Sequence, residues 1–209
     1  TVAESPSGLG WTADGKLLVV SMNDRRLLRQ EPGGFVVHAD FSALAKGPCN
    51  DMVVTPAGRA YVGNFGFDRH AGESPRPAVL ARIDPDGSVH AAADGLMFPN
   101  GTVITPDGRT MIIAETFAKR LTAFDLADDG TLSNRRVWAE TPTCNPDGIC
   151  LDAEGGIWVT GAFTHQMVRV LEGGKVTHAL DLGERAAYAC MLGGKDRRTL
   201  FVITNTGSG

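Results

Sequence analysis

The chain has 209 residues, 43% of them hydrophobic and 21% charged, with a formal net charge of −4. That balance is ordinary for a globular protein and argues against a nucleic-acid or membrane-surface partner. There is no apolar run of about 18 residues to span a bilayer and no hydrophobic leader, so the expected compartment is the cytoplasm.

Residues 6–22 read as a hairpin of two short strands, Arg25–Arg29 begins a third, and Pro32-Gly33-Gly34 turns into a fourth at Phe35–His38. The same four-strand sentence recurs at 50–64, 78–83 and 88–90, then at 99–115, 121–124 and around Trp138. It recurs again at 146–161, 167–170 and 176–180, and a fifth copy begins at 189 with only its inner pair. Thr12-Ala13-Asp14-Gly15, Thr55-Pro56-Ala57-Gly58, Thr105-Pro106-Asp107-Gly108 and Asp152-Ala153-Glu154-Gly155 punctuate the inner hairpins. Copies start about 43 to 50 residues apart, the period of a four-stranded propeller blade. One blade cannot bury its faces alone, so residues 1–209 are expected to form a single all-β propeller domain. Phe65–Pro77 is the largest insertion, rich in Gly, Pro and charge, and is expected to act as a lid over one mouth.

Aligning the copies on their turn glycines places Ser7, Asn50, Asn100 and Asp147 eight residues before each glycine, and Cys190 in the looser fifth copy. Inner strands of a propeller start at one height beside the channel, so these side chains are expected to converge. Two Asn and one Asp make a set of hard oxygen donors suited to Ca²⁺ or Mg²⁺. From the repeat alone a second reading stays open, because Asn and Asp before Gly also form turns and cap backbone groups. Cys49, Cys144, Cys150 and Cys190 form no C-x-x-C pair and are expected as small buried residues. Trp11, Tyr61 and Trp158 are expected in the core, Glu115 and Thr116 at the surface. His70 and His165 sit in loops, with nothing to place them beside the ring.

Asn50-Asp51, Phe98-Pro99-Asn100-Gly101 and Pro146-Asp147-Gly148-Ile149-Cys150-Leu151-Asp152 resemble motifs of the gluconolactonase, regucalcin and luciferin-regenerating family. Ala189-Cys190-Met191-Leu192-Gly193-Gly194 resembles the signature of its last blade. The resemblance implies a six-bladed β-propeller with one divalent metal ion in the channel, Ca²⁺ first, with Mg²⁺, Mn²⁺ or Zn²⁺ as substitutes. It implies Asn100 and Asp147 as metal ligands and Asn50 as the substrate-contacting residue beside them. An Arg found in some members two places before that Asn is Pro48 here, which weakens the transfer of their sugar specificity to this chain. The family's Glu ligand stands in an early E-S-P motif, which Glu4-Ser5-Pro6 resembles. Pro6–Trp11 instead resembles the second blade, so the first blade with its Glu, and the final hairpin, are expected outside residues 1–209. Glu4 is the alternative ligand.

The activity implied is hydrolysis of a small lactone, a sugar-lactone-like cyclic ester, with Asp147 as the catalytic group and Asn50, Asn100 and Asp147 around the metal. Non-catalytic ligand binding around a structural metal, and phosphotriester hydrolysis, are the alternatives that a propeller leaves open.

Overall fold

The computed structural model describes residues 1–68 and 71–206. Its elements are strands, and no helix occurs among the described residues. β1 (Pro6–Trp11), β2 (Leu17–Ser21), β3 (Arg26–Glu31) and β4 (Gly34–Asp40) pair in sequence order as one antiparallel sheet. β5 (Cys49–Val54), β6 (Ala60–Asn64), β7 (Ala78–Ile83) and β8 (Val89–Leu96) form a second. β9 (Pro99–Ile104), β10 (Thr110–Glu115), β11 (Arg120–Leu126) and β12 (Leu132–Glu140) form a third. β13 (Pro146–Leu151), β14 (Ile157–Gly161), β15 (Gln166–Val170) and β16 (Val176–Asp181) form a fourth. β17 (Ala186–Gly193) and β18 (Thr199–Asn205) make a two-stranded fifth sheet. Four complete blades and half of another are the propeller organisation that the repeat predicts.

The inner hairpins owe their shape to local chemistry. Gly15, Gly58, Gly108 and Gly155 hold φ of 82°, 80°, 72° and 78°, a region that costs a Cβ-bearing residue strain. The amide of each donates back three residues, to the carbonyls of Thr12, Thr55, Thr105 and Asp152. The side chains of those four residues complete the turn. The hydroxyls of Thr12, Thr55 and Thr105 accept from Lys16, Arg59 and Thr110 N, and Asp152 Oδ1 accepts from Gly156 N, all within 3.1 Å. Threonine and aspartate are interchangeable there because each offers a short side-chain oxygen to the backbone.

The blades gather into two compact units, Thr1–Pro99 with Asp128–Leu132, and Asn100–Ala127 with Ser133–Gly209. In the first, Leu18, Val20 and Leu27 pack with Met52, Val62 and Ile83. In the second, Ile112, Ala114 and Leu121 pack with Ile149, Ile157 and Val168, and Cys150, Met167 and Cys190 form a further cluster. All four cysteines are buried and no disulfide joins them, as expected of packing residues. Burial pushes the thiols of Cys49 and Cys144 up to about 12 and about 11, so neither is a ready nucleophile.

The expected core place for Trp11 is corrected: it is 59% exposed, while Tyr61 is 1% exposed. The reason is strand alternation. A Cβ at Gly8 or Gly10 would meet β5 within 2.6 Å, so β1 turns those two positions toward its neighbour. Leu9 and Trp11 then face the other way.

Of the insertion between β6 and β7, Arg69 and His70 lie outside the described residues. Phe67 is buried, and the Phe65 ring lies 4.3 Å from that of Phe98. Arg76 Nε donates to Gly66 O at 3.0 Å, and its Nη2 pairs with Glu73 at 2.6 Å.

Candidate functional site

Three of the polar residues aligned by the repeat, Ser7, Asn50 and Asp147, share one backbone device. In β1, β5 and β13 the register with the next strand slips between Pro6 and Leu9, between Cys49 and Met52, and between Pro146 and Ile149. Ser7-Gly8, Asn50-Asp51 and Asp147-Gly148 are the residues inside those bulges. A bulge re-aims a side chain that would otherwise follow strict alternation.

The glycine after the polar residue has its own function. A Cβ on Gly101 would lie 2.5 Å from Asp147 O and 2.6 Å from Ile149 N, and one on Gly148 would lie 2.6 Å from Tyr188 O. The polar-Gly pair therefore lets the inner strand of the following blade approach to backbone contact. The expected equivalence of Cys190 with Asp147 is corrected by the same register. In β17 the slip falls between Ala187 and Ala189, so Tyr188 holds the bulge. Cys190 pairs with Val202 as Cys150 pairs with Trp158, and the Cys190 and Cys150 sulfurs lie 3.6 Å apart.

In the first unit, Asn50 is 5% exposed. Its Nδ2 donates to Pro99 O at 2.9 Å, and its Oδ1 is buried without a hydrogen-bond partner. Gly63 makes room for that oxygen, since a Cβ there would stand 2.7 Å from it. An orphaned buried acceptor is costly, so this is a place that fits a donor or a cation. Asp51, beside it, has its carboxyl pushed up to about 6 by burial. Glu4 is exposed, and its backbone carbonyl accepts from Asn23 N at 3.1 Å.

In the second unit, Asn100 is 5% exposed and Thr116 fully buried. Thr116 Oγ1 donates to Pro146 O at 2.7 Å and accepts from Asn100 Nδ2 at 3.2 Å. The order of this relay is forced. The Pro146 carbonyl can only accept, so the hydroxyl spends its proton there and presents a lone pair to Asn100. Asn100 must answer with its N–H, which turns Oδ1 away from Thr116 as a hard oxygen donor. The relay thus ties Asn100 to the strand that carries Asp147, whose neighbour is Pro146. Asp147 is half-buried.

Glu115 and Thr116 are corrected from surface to interior, with both fully buried. Glu115 Oε1 accepts from Arg120 Nε at 2.9 Å, Arg135 Nη2 at 3.2 Å and Thr122 Oγ1 at 2.5 Å. The run Met111–Ala114 that leads into them is wholly buried, and a fully apolar inner strand was the signal available for placing its end indoors. His165 is exposed, between β14 and β15.

Within the second unit the Asn100 amide oxygen and the Asp147 carboxylate are both hard oxygen donors, of the kind that suits a divalent cation. Among the described residues no cluster of three or more His, Cys, Asp or Glu occurs that could hold a metal ion.

Four-stranded antiparallel sheets in sequence order, with a bulged polar residue in each of the inner strands β1, β5 and β13, define the blades of a β-propeller. The chain belongs to the SMP-30/gluconolactonase/LRE-like family, whose model matches residues 1–206. A regucalcin of Danio rerio is 32% identical over 159 residues, covering 74% of this chain and 53% of the relative. A pentonolactonase of Haloferax volcanii is 29% identical over 163 residues, covering 77% and 54%. The chain spans about half the length of the curated relatives it matches. Among solved structures, a luciferin-regenerating enzyme superposes with a TM-score of 0.84 at 17% identity, over 97% of this chain and 71% of that one. A calcium-binding regucalcin from Agrobacterium tumefaciens gives 0.80 at 23%, over 94% and 67%. At these identities the two structures speak to the fold alone.

Proposed function

We propose that this chain carries the site of a divalent-metal-dependent hydrolase that opens a small lactone. The observation that supports this most directly is the Thr116 relay, which holds Asn100 by its N–H, leaves its oxygen turned from Thr116, and ties it to the strand of Asp147. The pentonolactonase and regucalcin relatives support the substrate class, and the calcium-binding regucalcin among the structural neighbours supports Ca²⁺ as the first choice of ion.

In this reading Asn100 Oδ1 and the Asp147 carboxylate hold the cation, and the orphaned Oδ1 of Asn50 serves the substrate or the ion. A cation there supplies polarisation of the lactone carbonyl and stabilisation of the oxyanion. Asp147 orients a water molecule and takes its proton as the water oxygen bonds to the carbonyl carbon. The acyl C–O bond then breaks, and the proton passes to the ring oxygen to leave a hydroxy acid. A small-molecule substrate and a cytoplasmic location belong to the same proposal, the latter supported by four buried cysteines that no disulfide joins.

The test compares Asn100→Ala and Asp147→Asn in the whole protein, over a lactone panel and a range of Ca²⁺. Excess Ca²⁺ should largely restore Asn100→Ala. It should leave Asp147→Asn short by about 10²- to 10⁴-fold, the usual worth of a general base. Full rescue of Asp147→Asn would make that residue a ligand only. No lactone turnover with any divalent ion, together with loss of thermal stability in EDTA, would favour ligand binding around a structural metal. Faster turnover of phosphotriesters than of lactones would change the ester.

A further inference from the structure

Asn145 clamps two loops of the second unit together. Its Nδ2 donates to Thr116 O at 3.2 Å, and its carbonyl accepts from Ala162 N at 3.1 Å. The next residue in each loop is a phenylalanine. Phe117 and Phe163 face one another with ring centroids 6.3 Å apart and planes inclined by 16°. Asp147 lies two residues along from the clamp itself, and Thr116, next to Phe117, holds Asn100.

Phe163 is 53% exposed. The other large exposed hydrophobics among the described residues, such as Leu9, Val37, Val137 and Phe201, lie on strands, where a sheet face explains them. Phe163 alone of them stands in a loop, between β14 and β15. Burial of the core does not require it there. A ring held half in water, stacked on a second ring and anchored by the residue that precedes Pro146-Asp147, is built as a contact surface.

We propose that Phe117 and Phe163 form an apolar wall beside Asn100 and Asp147, and that the cyclic ester taken there carries a hydrocarbon or aromatic face instead of a full set of hydroxyls. This rests on the lactone reading above and narrows its substrate class. Such a ring covers the two phenyl faces and displaces water from them. A polyhydroxylated ring must strip water from hydroxyls that the phenylalanines cannot repay with hydrogen bonds.

Two hydrolysis-resistant probes test it in the whole protein: an aryl-fused six-membered lactam and a polyhydroxylated lactam, with affinities measured by calorimetry in the wild type, Phe163→Ala and Phe117→Leu. The aryl-fused lactam should bind the wild type more tightly. Phe163→Ala should weaken it by about 3- to 10-fold, the range of one aromatic contact, and leave the polyhydroxylated lactam unchanged. Phe117→Leu, which keeps apolar volume, should fall between them. Preference for the polyhydroxylated lactam, or equal effects of Phe163→Ala on both probes, would overturn the proposal. Turnover of the corresponding lactones is scored separately. Selective lactam binding without turnover would sink the hydrolase reading and leave the apolar wall standing, and turnover without selectivity would do the reverse.

Discussion

Thr116→Val tests the relay at its centre. Valine keeps the volume and branching of threonine but has neither a proton for Pro146 O nor a lone pair for Asn100 Nδ2. Thr116 is fully buried and Asn100 nearly so, so water cannot readily replace either bond. Two groups are left unpaired at about 1–3 kcal/mol each, and the desolvation of the hydroxyl is recovered, for a net loss of about 2–3 kcal/mol. Thr116→Ser keeps the hydroxyl and loses one methyl, at about 0.5–1.5 kcal/mol. Urea unfolding followed by tryptophan fluorescence reads the difference, since Trp138 and Trp158 both lie in the second unit. The stability order should be wild type, Ser, then Val. Calcium affinity, under the proposed function, should fall in Thr116→Val and largely survive in Thr116→Ser, because only valine frees the Asn100 amide to turn. A Thr116→Val protein within about 0.5 kcal/mol of wild type, or a serine variant no better than valine, would refute the relay.

Gly101→Ala should cost more than the usual core substitution, about 3 kcal/mol or above, because its Cβ would meet three backbone atoms at 2.5–2.8 Å. Thermal melting of Gly101→Ala beside Gly155→Ala, where a Cβ meets nothing but φ is 78°, separates packing from backbone strain. Glu115→Gln removes the charge facing Arg120 and Arg135, which are 29% and 34% exposed, and should lose about 1–3 kcal/mol in denaturant titration. Asp40 is held down to about 2 by the hydroxyl and amide of Ser42 and by Arg26. A depressed carboxyl stabilises the fold fully above its unfolded value near 3.8 and loses that contribution as pH falls through about 2, so Asp40→Asn should flatten the acid limb of a stability-against-pH curve. The side chain is 46% exposed, so the change should be small and should shrink further in salt.

What the sequence determined by itself is whatever depends on neighbours in the chain. Thr105-Pro106-Asp107-Gly108 closes a turn because the Thr105 hydroxyl and a glycine at positive φ act within five residues, and the four-strand period follows from repeating that turn. The polar position of Asn50, Asn100 and Asp147 was legible for the same reason, since each stands at a fixed distance from its turn. Other placements needed the neighbouring blade. Trp11 faces outward because β5 occupies the side that Gly8 and Gly10 vacate. Tyr188, and not Cys190, takes the fifth polar position because strand register, which a single residue shifts, is set by pairing with β18. Glu115 and Thr116 look like surface residues by type, and only the apolar run Met111–Ala114 before them points inward. They are interior because Arg120, Arg135 and Thr122 satisfy one and Asn100 and Pro146 the other, partners up to 30 residues away that only the packed sheets bring within hydrogen-bond reach.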